Sequence, residues 1–121
     1  MNEIFIGGNV PSSKNGKRWT GKMLIHSKTV MTYISVTKAD YLSNKEKFKA
    51  MLVGKEAPYK ISFEFIRGSR HRFDYINPCQ TVQDLMVKYG WIEDDNCEFI
   101  IPFFEPYTYN KEEAGVIIRV L

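Results

Sequence analysis

Two short acidic stretches bracket one predicted helix in the second half of this 121-residue chain. The first is Arg70-His71-Arg72-Phe73-Asp74-Tyr75-Ile76-Asn77, and the second is Glu93-Asp94-Asp95-Asn96. Carboxylates are hard oxygen ligands suited to Mg²⁺, and guanidinium groups hold phosphate in a rigid fork. A place that gathers both can support metal-assisted chemistry on a phosphodiester backbone. Ordinary structure also accounts for these residues. Asp-Asp-Asn is a common turn, and a lone aspartate ahead of a helix is often a cap.

Whether the two stretches meet depends on the elements between them. Asn77-Pro78 reads as a helix N-cap followed by proline in the first helical position. Val82, Leu85, Met86 and Tyr89 supply the apolar face, and Gly90 ends the helix. A helix of about 11 residues is about 16 Å long, so the chain must run back afterwards. Pairing of Trp91-Ile92 with the strand before Asp74 is one arrangement that returns it. The tract Tyr59 to Phe65 alternates apolar and polar residues, predicting a strand with Tyr59, Ile61, Phe63 and Phe65 inward.

The remaining elements follow from the same rules. Glu3 to Asn9 reads as a strand, Val10 to Lys22 as a polar loop, and Lys22 to Ile25 and Met31 to Val36 as weaker strands. Thr37 opens a helix through Tyr41, Lys45, Phe48 and Leu52, with Gly54 as its stop. Cys97 to Ile101 reads as a strand piece, Pro102 to Asn110 as an aromatic loop, and Gly115 to Leu121 as a strand covered on both faces. The order predicts an α+β fold over residues 1–121, a single small domain with a mixed β-sheet and two helices packed against it.

Composition narrows the classes. The chain is 44% hydrophobic and 26% charged, enough to fill one core and unlike a disordered segment. No apolar run approaches the ~20 residues of a membrane span, so no membrane partner is expected. The N-terminus lacks the pattern of a signal peptide, and the expected location is cytoplasmic. Cys79 and Cys97 are then expected to be reduced, and with His26 and His71 they match no structural zinc spacing. Charge is split along the chain. Lys14, Lys17, Arg18, Lys22, Lys28 and Lys38 fall in a stretch without acidic residues, whereas Glu93 to Glu113 is mostly acidic. A polyanion-attracting region beside a cation-holding one fits this split, and so does an unevenly solvated surface.

Asp74-Tyr75-Ile76-Asn77, followed by Asp84-Leu85, Gly90 and Asp94-Asp95, resembles the RusA family of Holliday-junction resolvases. That family carries Asp-x-Asp-Asn, a helix with Asp-Ala-Leu, a glycine and a later Asp-Asp pair. The match runs without a gap from Asp74 to Asp95. The early Pro11-to-Asn15 loop, Tyr41 in a helix and the final apolar strand agree more loosely. The resemblance implies a small homodimeric endonuclease of phages and prophages that cuts branched DNA in recombination or repair, using Mg²⁺, with Mn²⁺ as a substitute. It assigns Asp74 and Asp95 as catalytic metal ligands, with Asp94 beside them, and matches Asn77 to the family asparagine. Lys14, Lys17, Arg18, Lys22, Arg70, Arg72 and Asn77 are then expected on the DNA. Trp19 is a candidate to stack at an open junction.

Two positions depart from the family. Ile76 stands where the second aspartate belongs, and Gln80 where a lysine belongs. Asp94, Glu93 and Asp84 are candidates to complete the metal shell, and Arg70, Arg72, Lys14 and Lys17 to supply the charge. The competing expectation is a junction-binding module on the same fold that does not cleave. A third is an interaction protein whose basic loop is merely solvated.

Overall fold

Burial alternates along β1 (Glu3–Gly7), which buries Ile4 and Ile6 and leaves the Phe5 ring on the opposite, open side. The computed structural model describes residues 2–12, 17–19, 24–26 and 28–121, and for 17–19 and 24–26 the backbone alone. There β2 (Lys17–Trp19) and β3 (Leu24–His26) pair antiparallel, so the polar stretch expected as loop contains a short strand. Lys17, Arg18 and Trp19 lie on β2. Lys14 and Lys22 lie outside the described residues.

The next segment corrects the sequence reading. Met31 to Val36 is helical, within α1 (Lys28–Ser43), and α2 (Lys45–Met51) follows after Asn44. Val30, Tyr33, Thr37 and Tyr41 are the buried residues of α1 and recur at helical spacing. Burial of that stripe outweighs the strand preference of its β-branched residues. Thr37 is not a cap. Its hydroxyl donates to the Tyr33 carbonyl at 2.6 Å, one turn back, so it can be buried. Asn44 divides the expected single helix by donating its side-chain amide to the Asp40 carbonyl at 2.9 Å.

Beyond Gly54, whose φ of +80° suits glycine, come β4 (Tyr59–Arg67) and α3 (Ile76–Lys88). The chain closes with β5 (Ile100–Phe104), β6 (Thr108–Tyr109) and β7 (Gly115–Val120). The mixed sheet has the order β1-β7-β4-β5, and β6 also pairs with β4. The β1–β7 and β4–β7 pairs are antiparallel, and β4 pairs parallel with β5 and β6. The result is a small α+β structure with three described helices rather than two. None of them is long and apolar enough to cross a membrane.

One parity of the sheet builds the core. Ile4, Ile6, Ile61, Phe63, Phe65, Val116 and Ile118 pack with Tyr33, Tyr41 and Phe48 of the first helices and Val82, Leu85 and Met86 of α3. The other parity is partly open. Ile117 and Arg119 are half-buried, so β7 is not covered on both faces as expected. On that side Arg119 reaches Glu64 at 2.8 Å and Glu3 at 3.2 Å. Gly115 is required at the other end of β7, since a Cβ there would meet the Ile6 carbonyl at 2.5 Å and the Phe5 ring at 2.6 Å.

Trp91 and Ile92 are buried but form no strand, so the pairing expected to carry the chain back to Asp74 is absent. Side-chain packing holds the return instead. The Trp91 ring stacks on Phe48 at 4.9 Å, and its Nε1 donates to the Tyr41 carbonyl at 2.7 Å.

Candidate functional site

The helix α3 begins two residues before the expected position. Tyr75 stands at the N-cap and its side chain makes no capping bond, and Asn77 lies inside the first turn at 7% exposure. The backbone carbonyl of Asp74 accepts from the Asn77 amide at 3.0 Å and takes the role predicted for the Asn77 side chain. Pro78 follows within the same turn, where its missing N–H has no partner to lose.

A cleft of about 540 Å³ opens at this helix end, lined by Ser12, Arg67, Arg72, Phe73, Asp74, Tyr75, Asn77 and Tyr107. Its walls are aromatic. The Phe73 ring meets Tyr107 edge-on at 5.1 Å and Tyr75 at 5.2 Å. The Tyr75 hydroxyl accepts from the Tyr107 amide at 3.0 Å. Thus part of the aromatic stretch after β5 is a wall of this cleft. Arg67 ends β4 with its guanidinium 4.5 Å above Phe73, and its Nη1 donates to the Val10 carbonyl at 2.7 Å. Arg72 and Asp74 are exposed at the rim.

The exposed side of α3 carries a second cluster. The Gln80 Nε2 donates to Asp84 Oδ1 at 2.7 Å and to Asp95 Oδ2 at 3.0 Å. Asp84 and Asp95 therefore converge on one amide nitrogen. Gln80 and Asp84 share a helix face because they are four residues apart. Asp95 reaches them because the buried Trp91-Ile92 fixes the start of its turn.

Asp94 points elsewhere. Its Oδ1 accepts from the Asp95 amide at 2.7 Å and its Oδ2 from the Asn96 side chain at 3.0 Å, so both oxygens hold the turn. Glu93 lines a separate groove with Lys49, Trp91 and Phe99. Among the described residues, no three His, Cys, Asp or Glu side chains stand together as a metal-binding group. Asp74, Asp94 and Asp95 are thus not gathered as one ligand set. Asp95 pairs with Asp84, and Asp74 belongs to the cleft.

Other expected residues take mixed places. The Arg70 guanidinium lies 4.2 Å over the Tyr109 ring, and His71 is exposed. Ile76, at 67% exposure, faces solvent in the first turn of α3. Cys79 is buried beside the acidic cluster and donates to Gln83 Oε1 at 3.2 Å. Burial, with a smaller contribution from Asp95, pushes its thiol up to about 12. Cys97 is free and exposed.

Sequence reasoning missed Arg67 as a cleft residue, because it continues the strand and carries no motif. The Gln80–Asp84 spacing was legible, but the distance to Asp95 depends on tertiary packing. Compared with protein-family models and with curated proteins, the chain matches none.

Proposed function

We propose that this chain is a metal-dependent endonuclease of RusA type that resolves branched DNA. The observation that carries the reading is the convergence of Asp84 and Asp95 on one point of α3, beside the arginine-bearing cleft at its N-terminus. Two carboxylates fit Mg²⁺ or Mn²⁺, which keeps several waters and completes its shell with substrate phosphate. Bound there, the ion would supply an activated water and stabilise charge on the leaving oxygen. Asp84 and Asp95 would hold the ion, with Gln80 giving up its bonds to both carboxylates. Asp74 stands apart from that pair at the cleft rim, where Arg72 and Asn77 would orient the DNA strand. Lys14, Lys17, Arg18, Lys22 and Arg70 extend the basic contact along the backbone. A homodimer in the cytoplasm of a bacterial or phage-infected cell would place one site on each of two strands of a near two-fold junction.

The test is incubation with a four-way junction and with linear duplex in Mg²⁺. Cleavage of the junction, reduced about a hundredfold or more in Asp95→Asn, is expected for loss of one charge-stabilising group. Equal cutting by this variant and wild type would remove Asp95 from the site.

A second reading is favoured by Ile76 and Gln80. An exposed isoleucine occupies a family ligand position, and a neutral amide already satisfies Asp84 and Asp95. On this reading the chain binds junctions and does not cut them. Binding retained in EDTA, with no cleavage in Mg²⁺ or Mn²⁺, would select it.

A further inference from the structure

The cleft at the start of α3 holds a cation without a counter-ion. Arg67 is half-buried, its Nε has no hydrogen-bond partner, and no carboxylate lies within ion-pair reach of it among the described residues. Asp74 lines the same cleft but forms no ion pair with Arg67 or Arg72. Burial lowers the Arg67 pKa, yet a guanidinium does not give up its proton in a protein. Among the described residues its desolvation is offset by the ring of Phe73 and the Val10 carbonyl, which leaves room for an anion to complete the balance. The Val10 bond and the ring hold the fork in place before a ligand arrives. Around it Ser12 and Asn77 offer polar lips, and Tyr107, at 43% exposure, offers an open ring.

We propose that this cleft seats one phosphate group, with Arg67 at its floor, Arg72 at its rim and the adjoining base against Tyr107. The phosphate is a phosphodiester of a nucleic-acid strand, an assignment that rests on the DNA reading above. A free phosphate or nucleotide shares the chemistry and is the other source to separate. Arginine suits the role because its planar fork can take two phosphate oxygens together, and stacking on Tyr107 tolerates any base.

The experiment compares wild type, Arg67→Met, Arg67→Lys and Arg72→Gln. Junction affinity is measured in EDTA over a salt series, and thermal melting with inorganic phosphate or a 5′-phosphorylated dinucleotide against chloride at equal ionic strength. Arg67→Met should bind the junction about tenfold more weakly, with the salt slope lower by about one. Arg67→Lys should recover only part of that loss, since it keeps the charge without the fork. Arg72→Gln, at an exposed position that folding tolerates, should weaken binding severalfold and also lower the slope.

Wild-type junction affinity and slope in both Arg67→Met and Arg72→Gln would overturn the cleft assignment while leaving the DNA reading intact. No junction binding by wild type, with phosphate raising its melting temperature but not that of Arg67→Met, would support the cleft with a small phosphate as source and sink the DNA reading. Absence of both junction binding and phosphate stabilisation in wild type would overturn the two together.

Discussion

The two ends of the candidate site are built with opposite imbalances. At the start of α3, Arg67 and Arg72 line a cleft whose one carboxylate, Asp74, pairs with neither. On the exposed side of the same helix, Asp84 and Asp95 share a donor that carries no charge. The open sheet face is different again, since Arg119 there is matched by Glu3 and Glu64. Where charges serve the fold, they are paired. Along α3 they are kept apart, the cation toward the cleft and the carboxylates toward Gln80. Unpaired charges cost stability and leave affinity for a ligand of the opposite sign.

The contrast can be broken by removing either side. Asp84→Asn should lower junction cleavage about a hundredfold, the scale of one electrostatic group, while binding in EDTA changes less than about twofold. A parallel loss of binding would mean that the acidic cluster positions DNA rather than an ion. Alkaline titration gives a smaller effect. The Cys79 and Tyr33 pKa values are raised by burial to about 12, above their unfolded values near 9 and 10. The unfolded chain therefore loses these protons first. Their contribution is complete below about pH 9 and declines as pH rises toward 12. Urea midpoints measured across that range should fall, and more gently in Cys79→Ala. Thiol labelling of native protein should modify Cys97 rapidly and Cys79 only on unfolding. The smallest effect belongs to Gln80→Ala. It should cost less than about 1 kcal/mol in metal-free buffer, because the amide is exposed and its helix bond is of the i, i+4 kind. Mg²⁺ should then raise the variant's melting temperature more than that of wild type. Equal shifts would show that the amide does not compete with the ion.

Local pattern was enough for β1, β4 and the body of α3, because each repeats its apolar residues at the period of its own geometry. It failed over Met31 to Val36, where β-branched residues suggest a strand while Val30, Tyr33 and Thr37 bury a helical stripe. Only the sheet against which that stripe packs settles the matter. The site divides in the same way. Asp74 and Asp95 were legible as acidic residues flanking a helix. Their separate partners were not, because Arg67 reaches the cleft from the end of β4 and Asp95 reaches Gln80 through the packing of Trp91. Asp94 could not be told from Asp95 by type. The bonds that turn Asp94 into its own loop depend on the conformation of Asp95 and Asn96.

The segment from Trp91 to Ile100 is buried at its two ends and largely exposed between them, where it is held by hydrogen bonds. Trp91 and Ile92 are sunk in the core at one end and Ile100 at the other, while residues 93–98 remain at or near the surface. Such a strap separates heritable risk from heritable opportunity. Substitutions at its anchors endanger the whole fold, with loss of a buried tryptophan costing about 3–5 kcal/mol. Substitution of Asp95 alters the group presented to α3 while the Asp94 and Asn96 side chains still hold the turn. The charge that this turn presents to Gln80 can therefore change without the scaffold having to be solved again.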